Sequence, residues 1–253
     1  MMMMKNSFAG KVYGRLCSIW FALLLVICNI SIFPAYYFLL TRRSRKKDEV
    51  AHKMNMLLSL TVLSGCGISL TVEGKEHIHA GGTYVFTPNH NSYLDIPICN
   101  IALNRSFRYI GKKELSKIPL FGWMYKRLYI TVNRASHVDA YKSMVLAGEK
   151  LDEGVSMLIY PEGTIASGKK ILSTFKEGAF RIACKHQVPV IPVSLIGTDR
   201  ILPDNNGFRI YPGKVKVIIH PPVSTVGISP EESDRVKLRV YETLYNALKP
   251  HYT

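Results

Sequence analysis

The stretch Tyr84-Val85-Phe86-Thr87-Pro88-Asn89-His90-Asn91-Ser92-Tyr93-Leu94-Asp95 decides the fold. Tyr84 to Phe86 is a short apolar run and reads as a buried strand. Pro88 ends it, because proline has no N–H to continue a ladder. A helical pattern follows from Asp95 to Leu103. The unit is therefore strand, turn, helix, with His90 at the strand's end. Asp95 lies five residues on, one beyond the step that stacks side chains on a helix face. The two meet only if the turn folds the carboxylate back. A carboxylate on one ring nitrogen fixes the imidazole tautomer and leaves the other nitrogen free to take a proton. The plain alternative is a helix-start histidine and a capping aspartate.

The same alternation continues outward. Ile68, Leu70 and Val72 alternate with Ser69 and Thr71, a half-buried strand pattern. Phe107 to Ile110, Leu128 to Val132, Val155 to Tyr160 and Lys214 to Ile219 are further strand candidates. Val188-Pro189-Val190-Ile191-Pro192-Val193-Ser194-Leu195 also reads as a strand, but its two prolines predict an edge or bulged position. Ser136 caps a predicted helix from Val138 to Leu151, with Asp139 in its first turn. A second helix is predicted over Ala179 to His186. A capping box at Ser229-Pro230-Glu231-Glu232 opens a third, running to about Leu248. Strands alternating with helices predict an α/β domain over residues 67–253, with a largely parallel central sheet flanked by helices.

Residues 1–66 differ in kind. Leu16 to Thr41 holds no charged residue over 26 positions, about 39 Å of helix. A bilayer's hydrocarbon core is about 30 Å. The run is too long for a signal peptide, and no small-x-small cleavage site follows it. Arg42, Arg43, Arg45, Lys46 and Lys47 come next, a cluster that stays cytoplasmic and suits anionic membrane lipids. Lys5, Lys11 and Arg15 on the other side weaken a simple span. Met54 to Leu63 is apolar enough to be a partner helix but too short to cross. The expected arrangement is a membrane-embedded or interfacial helical hairpin facing the cytoplasm, at the inner membrane if the source is bacterial. Lys112, Lys113 and Lys117 stand among Leu115, Ile118, Leu120 and Phe121. That mixture suits a membrane, an acidic partner or an ordinary surface helix.

Net charge is +15, from 33 Lys and Arg against 18 Asp and Glu, which favours anionic partners. Nucleic acid is disfavoured, since no aromatic-interleaved basic module is recognisable. Cys17, Cys28, Cys66, Cys99 and Cys184 are scattered and form no C-x-x-C pair, so neither zinc nor a disulfide frame is indicated. His137 and Asp139 form an H-x-D pair that could join His90 and Asp95 on a metal; the pair reads instead as a helix N-terminus, and no metal is expected.

Four stretches recur in one order: Asn89-His90-x-x-x-x-Asp95, Tyr129 to Arg134, Tyr160-Pro161-Glu162-Gly163-Thr164, and Val188-Pro189-Val190-Ile191-Pro192. On these, over roughly Gly67 to His220, the chain resembles the glycerolipid acyltransferases, and among them those that acylate 1-acyl-sn-glycerol-3-phosphate to phosphatidic acid. The resemblance implies that His90 is the general base and Asp95 its orienting carboxylate. It assigns Arg134 to the acceptor's phosphate, Glu162, Gly163 and Thr164 to acceptor binding, and Lys176, in Phe175-Lys176-Glu177-Gly178, to a following basic stretch. It implies lysophosphatidic acid as acceptor, acyl-coenzyme A or acyl-carrier protein as co-substrate, and no cofactor. One position departs from the pattern: Ile165 stands where the family usually has arginine, and an aliphatic chain cannot grip phosphate as a guanidinium fork does. Lys169, Lys170 or Lys176 can supply the charge, or the acceptor is another lysophospholipid or glycerol-3-phosphate.

The chemistry is coherent without the resemblance. A thioester is already activated, so the protein must take a proton from an alcohol and stabilise an oxyanion. Histidine held by aspartate suits the first task. Backbone N–H groups around Gly163-Thr164 are candidates for the second. No G-x-S-x-G elbow is present, which argues against a covalent acyl-enzyme. Two rival readings remain: a metal-dependent phosphate-ester hydrolase, and a membrane lipid-binding protein without turnover.

Overall fold

The computed structural model describes residues 7–42, 47–133, 135–165, 171–203 and 207–252. Two helices come first, α1 (Phe8–Thr41) and α2 (Lys47–Gly65). The rest of the chain builds a seven-stranded sheet from β1 (Ile68–Glu73), β2 (Val85–Pro88), β3 (Phe107–Lys112), β4 (Ile130–Val132), β5 (Ser156–Leu158), β6 (Val190–Ile196) and β7 (Gly213–Ile219). The strand order is β1-β7-β6-β2-β5-β3-β4. Among these strand pairs β6–β7 alone is antiparallel. The helices between strands are α3 (Asp95–Ala102), α4 (Phe121–Leu128), α5 (His137–Asp152), α6 (Gly178–Lys185), the single turn α7 (Thr198–Ile201) and α8 (Ser233–Tyr252). The expected parallel α/β architecture is therefore present; Ser136 caps α5 as predicted, and the Ser229–Glu232 box caps a 3₁₀ turn (Pro230–Glu232) that leads into α8.

Successive strand residues face opposite sides, and each side has its own core. Phe86, Leu158, Ile191 and Leu195 pack with α3 and the end of α2. Val85, Met157, Val190 and Ile196 pack with α5, α6 and α8. The central strands are covered on both faces, so they read as continuous apolar runs.

Of the two positions predicted for β6, edge or bulged, the edge is wrong; Val190 pairs with Val223 and Val193 with Ile219, which leaves one extra residue on the facing chain. This strand lies inside the sheet, between β2 and β7. Its prolines fit because the ladder does not need their missing N–H groups. Pro189 precedes the strand and offers its carbonyl to Val85 N–H at 3.1 Å. Pro192 offers its carbonyl to His220 N–H at 3.0 Å, and β7 pairing begins one residue later, at Val193.

α1 is the one described helix long and apolar enough to cross a membrane. It starts earlier than the uncharged run predicted, at Phe8, and α2 runs from Lys47 rather than Met54. The two form the expected hairpin, but it lies against the α/β domain. Phe21 and Leu24 reach the core beneath α3. The Tyr36 hydroxyl donates to Asn55 Oδ1 at 2.6 Å, and Asn55 Nδ2 donates to the Tyr129 hydroxyl at 2.8 Å. Elsewhere α1 leaves Leu16, Ile19, Leu23, Val26, Ile27 and Ile30 exposed. Arg43, Arg45 and Lys46 of the basic cluster lie outside the described residues.

Candidate active site

The site is built where β2, β5 and β6 end side by side. After Pro88 the chain turns, and Asp95 opens α3. The turn does fold the carboxylate back. His90 Nδ1 meets Asp95 Oδ2 at 2.9 Å. The same oxygen accepts the backbone N–H groups of Asn91 at 2.8 Å and Ser92 at 2.9 Å. Asp95 is fully buried and His90 5% exposed. Asp95 thus holds both the turn's backbone and the imidazole; the N-cap of α3 is Leu94, with no side-chain cap, so the helix-capping alternative is not what the structure shows. A carboxylate at Nδ1 leaves the neutral ring's Nε2 as its acceptor, and Nε2 has no partner among the described residues.

Glu162 holds the turn from the other side. Its Oε1 accepts His90 N–H at 2.9 Å and its Oε2 accepts Ser173 N–H at 2.7 Å. Burial raises its pKa, opposed by these two hydrogen bonds. One carboxylate therefore ties the His90 turn to the segment after Gly163. Gly163 sits at φ +74°, a left-handed conformation. A Cβ there would also strike the Lys176 side chain at 2.7 Å, so glycine lets the lysine lie across the turn. Lys176 is fixed in turn by its N–H, which donates to Pro161 O at 2.8 Å. Thr164 is exposed. Gly163 N–H donates to Tyr160 O at 3.0 Å, so of the N–H groups around the Gly163-Thr164 turn this one is engaged within the turn.

His90, Asp95, Glu162, Gly163, Thr164 and Lys176 are thus brought to one place. Arg134, Lys169 and Lys170 lie outside the described residues. His137 is the first residue of α5, and Asp139 N–H donates to Ser136 Oγ at 3.2 Å, as a helix start requires.

Several contributors escaped the sequence reading. The Tyr160 ring stacks on His90 at 3.9 Å between centroids and 19° between planes. Asn89 reaches β6 with both ends of its amide: Nδ2 donates to Leu195 O at 3.0 Å and Oδ1 accepts Leu195 N–H at 2.7 Å. Ser92 Oγ donates to Leu202 O at 2.9 Å. The Tyr252 hydroxyl, near the end of α8, lies between Asn91 and Asp199. Tyr160 and Asn89 sit inside the quoted motifs, so their position was the available signal. Cys99 is fully buried, and burial raises its thiol pKa, which suits packing rather than nucleophilic attack.

Beside the turn lies a cavity of about 120 Å³. Ile110, Val132, Met144 and Ile159 line it, and Gly163 and Lys176 border it. The site therefore joins a buried histidine–aspartate pair, a lysine and an apolar recess.

The acyltransferase family pattern matches residues 69–196, which include both the His90–Asp95 turn and the Glu162–Thr164 turn. The chain belongs to that family. A chloroplastic 1-acyl-sn-glycerol-3-phosphate acyltransferase of Arabidopsis thaliana is 35% identical over 159 residues, 61% of this chain and 43% of that protein. A chloroplastic protein of the same name from Brassica napus is 31% identical over 207 residues, 80% of this chain and 57% of that one. The chain spans about half the length of these curated relatives. The crystal structure of the 1-acyl-sn-glycerophosphate (LPA) acyltransferase from Thermotoga maritima superposes with a TM-score of 0.82 at 28% identity, covering 95% of this acyltransferase-family chain and 96% of that one.

Proposed function

We propose that this protein transfers a fatty acyl group from a thioester donor to the sn-2 hydroxyl of 1-acyl-glycerol-3-phosphate, giving phosphatidic acid. The observation that carries the reading is the buried His90–Asp95 contact at 2.9 Å, with Glu162 locking the His90 backbone. Asp95 holds the Nδ1–H tautomer, so Nε2 takes the proton of the acceptor hydroxyl as its oxygen attacks the thioester carbon. The carbon–sulfur bond then breaks, and the imidazolium returns its proton to the departing thiolate. No acyl-enzyme forms. Lys176, lying across Gly163, supplies positive charge for the acceptor's phosphate where Ile165 cannot. The apolar recess receives part of an acyl chain. The names of the relatives support the acceptor, and the basic surface suits acyl-coenzyme A or acyl-carrier protein. The exposed apolar face of α1 holds the site at a membrane, on its cytoplasmic side.

A second reading keeps the chemistry and changes the acceptor to another lysophospholipid or glycerol-3-phosphate; Ile165 is the observation that favours it. One experiment separates these. The purified full chain is incubated with each acceptor and with either acyl donor, with and without chelator, and the products are resolved. Phosphatidic acid formed from lysophosphatidic acid, unaffected by chelator, is the expected result. Lipid binding without product from any acceptor would overturn acyl transfer, and loss of activity with chelator would overturn the metal-free mechanism.

A further inference from the structure

The segment between β3 and β4 is built more stiffly than a surface connection requires. Lys113 to Lys117 form a 3₁₀ turn, and Ser116 Oγ donates to Lys113 O at 2.6 Å. Leu120 follows at φ 61°, ψ −59°. Phe121 N–H donates to Pro119 O at 2.6 Å across it. That is a γ-turn of the strained sign, rare for a residue other than glycine. Gly122 closes the corner: a Cβ there would stand 2.2 Å from Ser116 O. Ile118 is 46% exposed and Leu120 42% exposed, flanking Pro119 at the corner.

The surroundings show what this corner meets. Lys112, Lys113, Lys117, Lys126 and Arg127 are exposed along residues 112–127, whose single acid is Glu114. Arg127 stacks over Trp123 at 3.8 Å. Trp123 in turn packs against α1, 5.5 Å from the Tyr37 ring and 5.6 Å from the Phe33 ring. Trp123, three residues after Leu120, therefore links this corner to the apolar face of α1, where Tyr37 and Phe38 are also exposed. Aliphatic tips ringed by cations, next to a tryptophan and an apolar helix, match the depth profile of a bilayer whose headgroups are anionic.

We propose that residues 113–127 form a rigid wedge that sinks Ile118 and Leu120 into an anionic lipid surface, as a second membrane contact beside α1. This rests on the reading of α1 as membrane-embedded. The wedge fixes the tilt of the α/β domain on the bilayer.

The chain has two tryptophans, Trp20 and Trp123. The full-length Trp20→Phe protein leaves Trp123 as the sole reporter, and is mixed with vesicles of brominated phosphatidylcholine and phosphatidylglycerol. The expected result is strong quenching of Trp123 that falls severalfold in Ile118→Asp/Leu120→Asp and in Lys113→Gln/Lys117→Gln/Lys126→Gln. In parallel, acyl transfer to vesicle-borne lysophosphatidic acid drops roughly tenfold in either variant, as expected for lost apolar and cationic lipid contacts. Transfer to a monodisperse short-chain analogue stays within about twofold, which also shows that the variants fold. Protein that does not sediment with vesicles would overturn the α1 reading and the wedge with it. Protein that sediments with Trp123 unquenched would overturn the wedge alone. Equal loss on both substrates, or loss only with carrier-protein donor, would likewise overturn it.

Discussion

Among the described residues two histidines meet an aspartate through Nδ1, and one of the two pairs has the surroundings of a site. His90 lies 2.9 Å from an Asp95 that is fully buried. His186 lies 2.6 Å from Asp152, whose side chain is 64% exposed. By distance alone the second pair is the better one. The difference lies in what surrounds each ring. Asp95 also collects two backbone N–H groups, so it cannot turn away. Tyr160 fixes the His90 ring plane, and Nε2 is left without a partner among the described residues. In the other pair, Nε2 of His186 is pressed against α5, where a Cβ on Gly148 would come within 2.4 Å of it. One ring is held with a nitrogen to spare; the other is used up in packing α5 to α6.

That contrast can be tested from its largest consequence downward. His90→Ala should lower the rate of phosphatidic acid formation by about 10³-fold, within the range for a lost general base. Retention of more than a tenth of the rate by the folded variant would show that Nε2 is not the base. Asp95→Asn should cost about 10²-fold or more, because an amide can present its NH₂ to Nδ1 and select the wrong tautomer. Its pH–rate profile should change shape as well as height.

Glu162→Gln should destabilise the fold by about 1–3 kcal/mol, since one of two buried N–H groups then faces an amide donor. Urea unfolding measures this. The size should depend on pH. Burial raises the folded-state pKa of Glu162. Its contribution is therefore complete below the ordinary glutamate range and is lost as pH rises through the folded pKa. The variant should lack that part of the slope.

His220 supplies a third case, with Nε2 2.9 Å from Ser194 Oγ and no carboxylate. Burial, and then the neighbouring His77, lower its pKa to about 4. Its depressed value means stability that is present above about pH 6.5 and lost as pH falls toward 4. His220→Gln should flatten that acid limb by about 2 kcal/mol, allowing for partial exposure. An unchanged limb would show that another group sets the acid response. The smallest effect belongs to the exposed pair: Asp152→Asn should leave the rate within about twofold and cost less than about 1 kcal/mol.

The features read correctly from sequence were local ones. Apolar runs ended by proline or glycine marked the strands, and Ser136 and Ser229 marked helix starts, because caps and strand ends are decided within a few residues. The meeting of His90, Asp95 and Glu162 was legible because His90 and Glu162 follow strand ends and Asp95 opens a helix, each inside a motif. What failed was long-range. Nothing near Pro192 says that the ladder there asks only for a carbonyl, so a central strand looked like an edge. Nothing near Asn89 says that its amide pairs with Leu195. Nor does the motif say that the turn itself engages Gly163 N–H, through Tyr160 O.

The Asn89–Leu195 clamp has a consequence in time. The contacts that hold the His90 turn reach forward 72 residues to Glu162, 106 to Leu195 and 110 to Leu202. A ribosome releases α1 well before Leu202. The nascent chain thus carries this greasy helix long before the His90 turn can be held in place, and the turn waits on β6 and the segment after it.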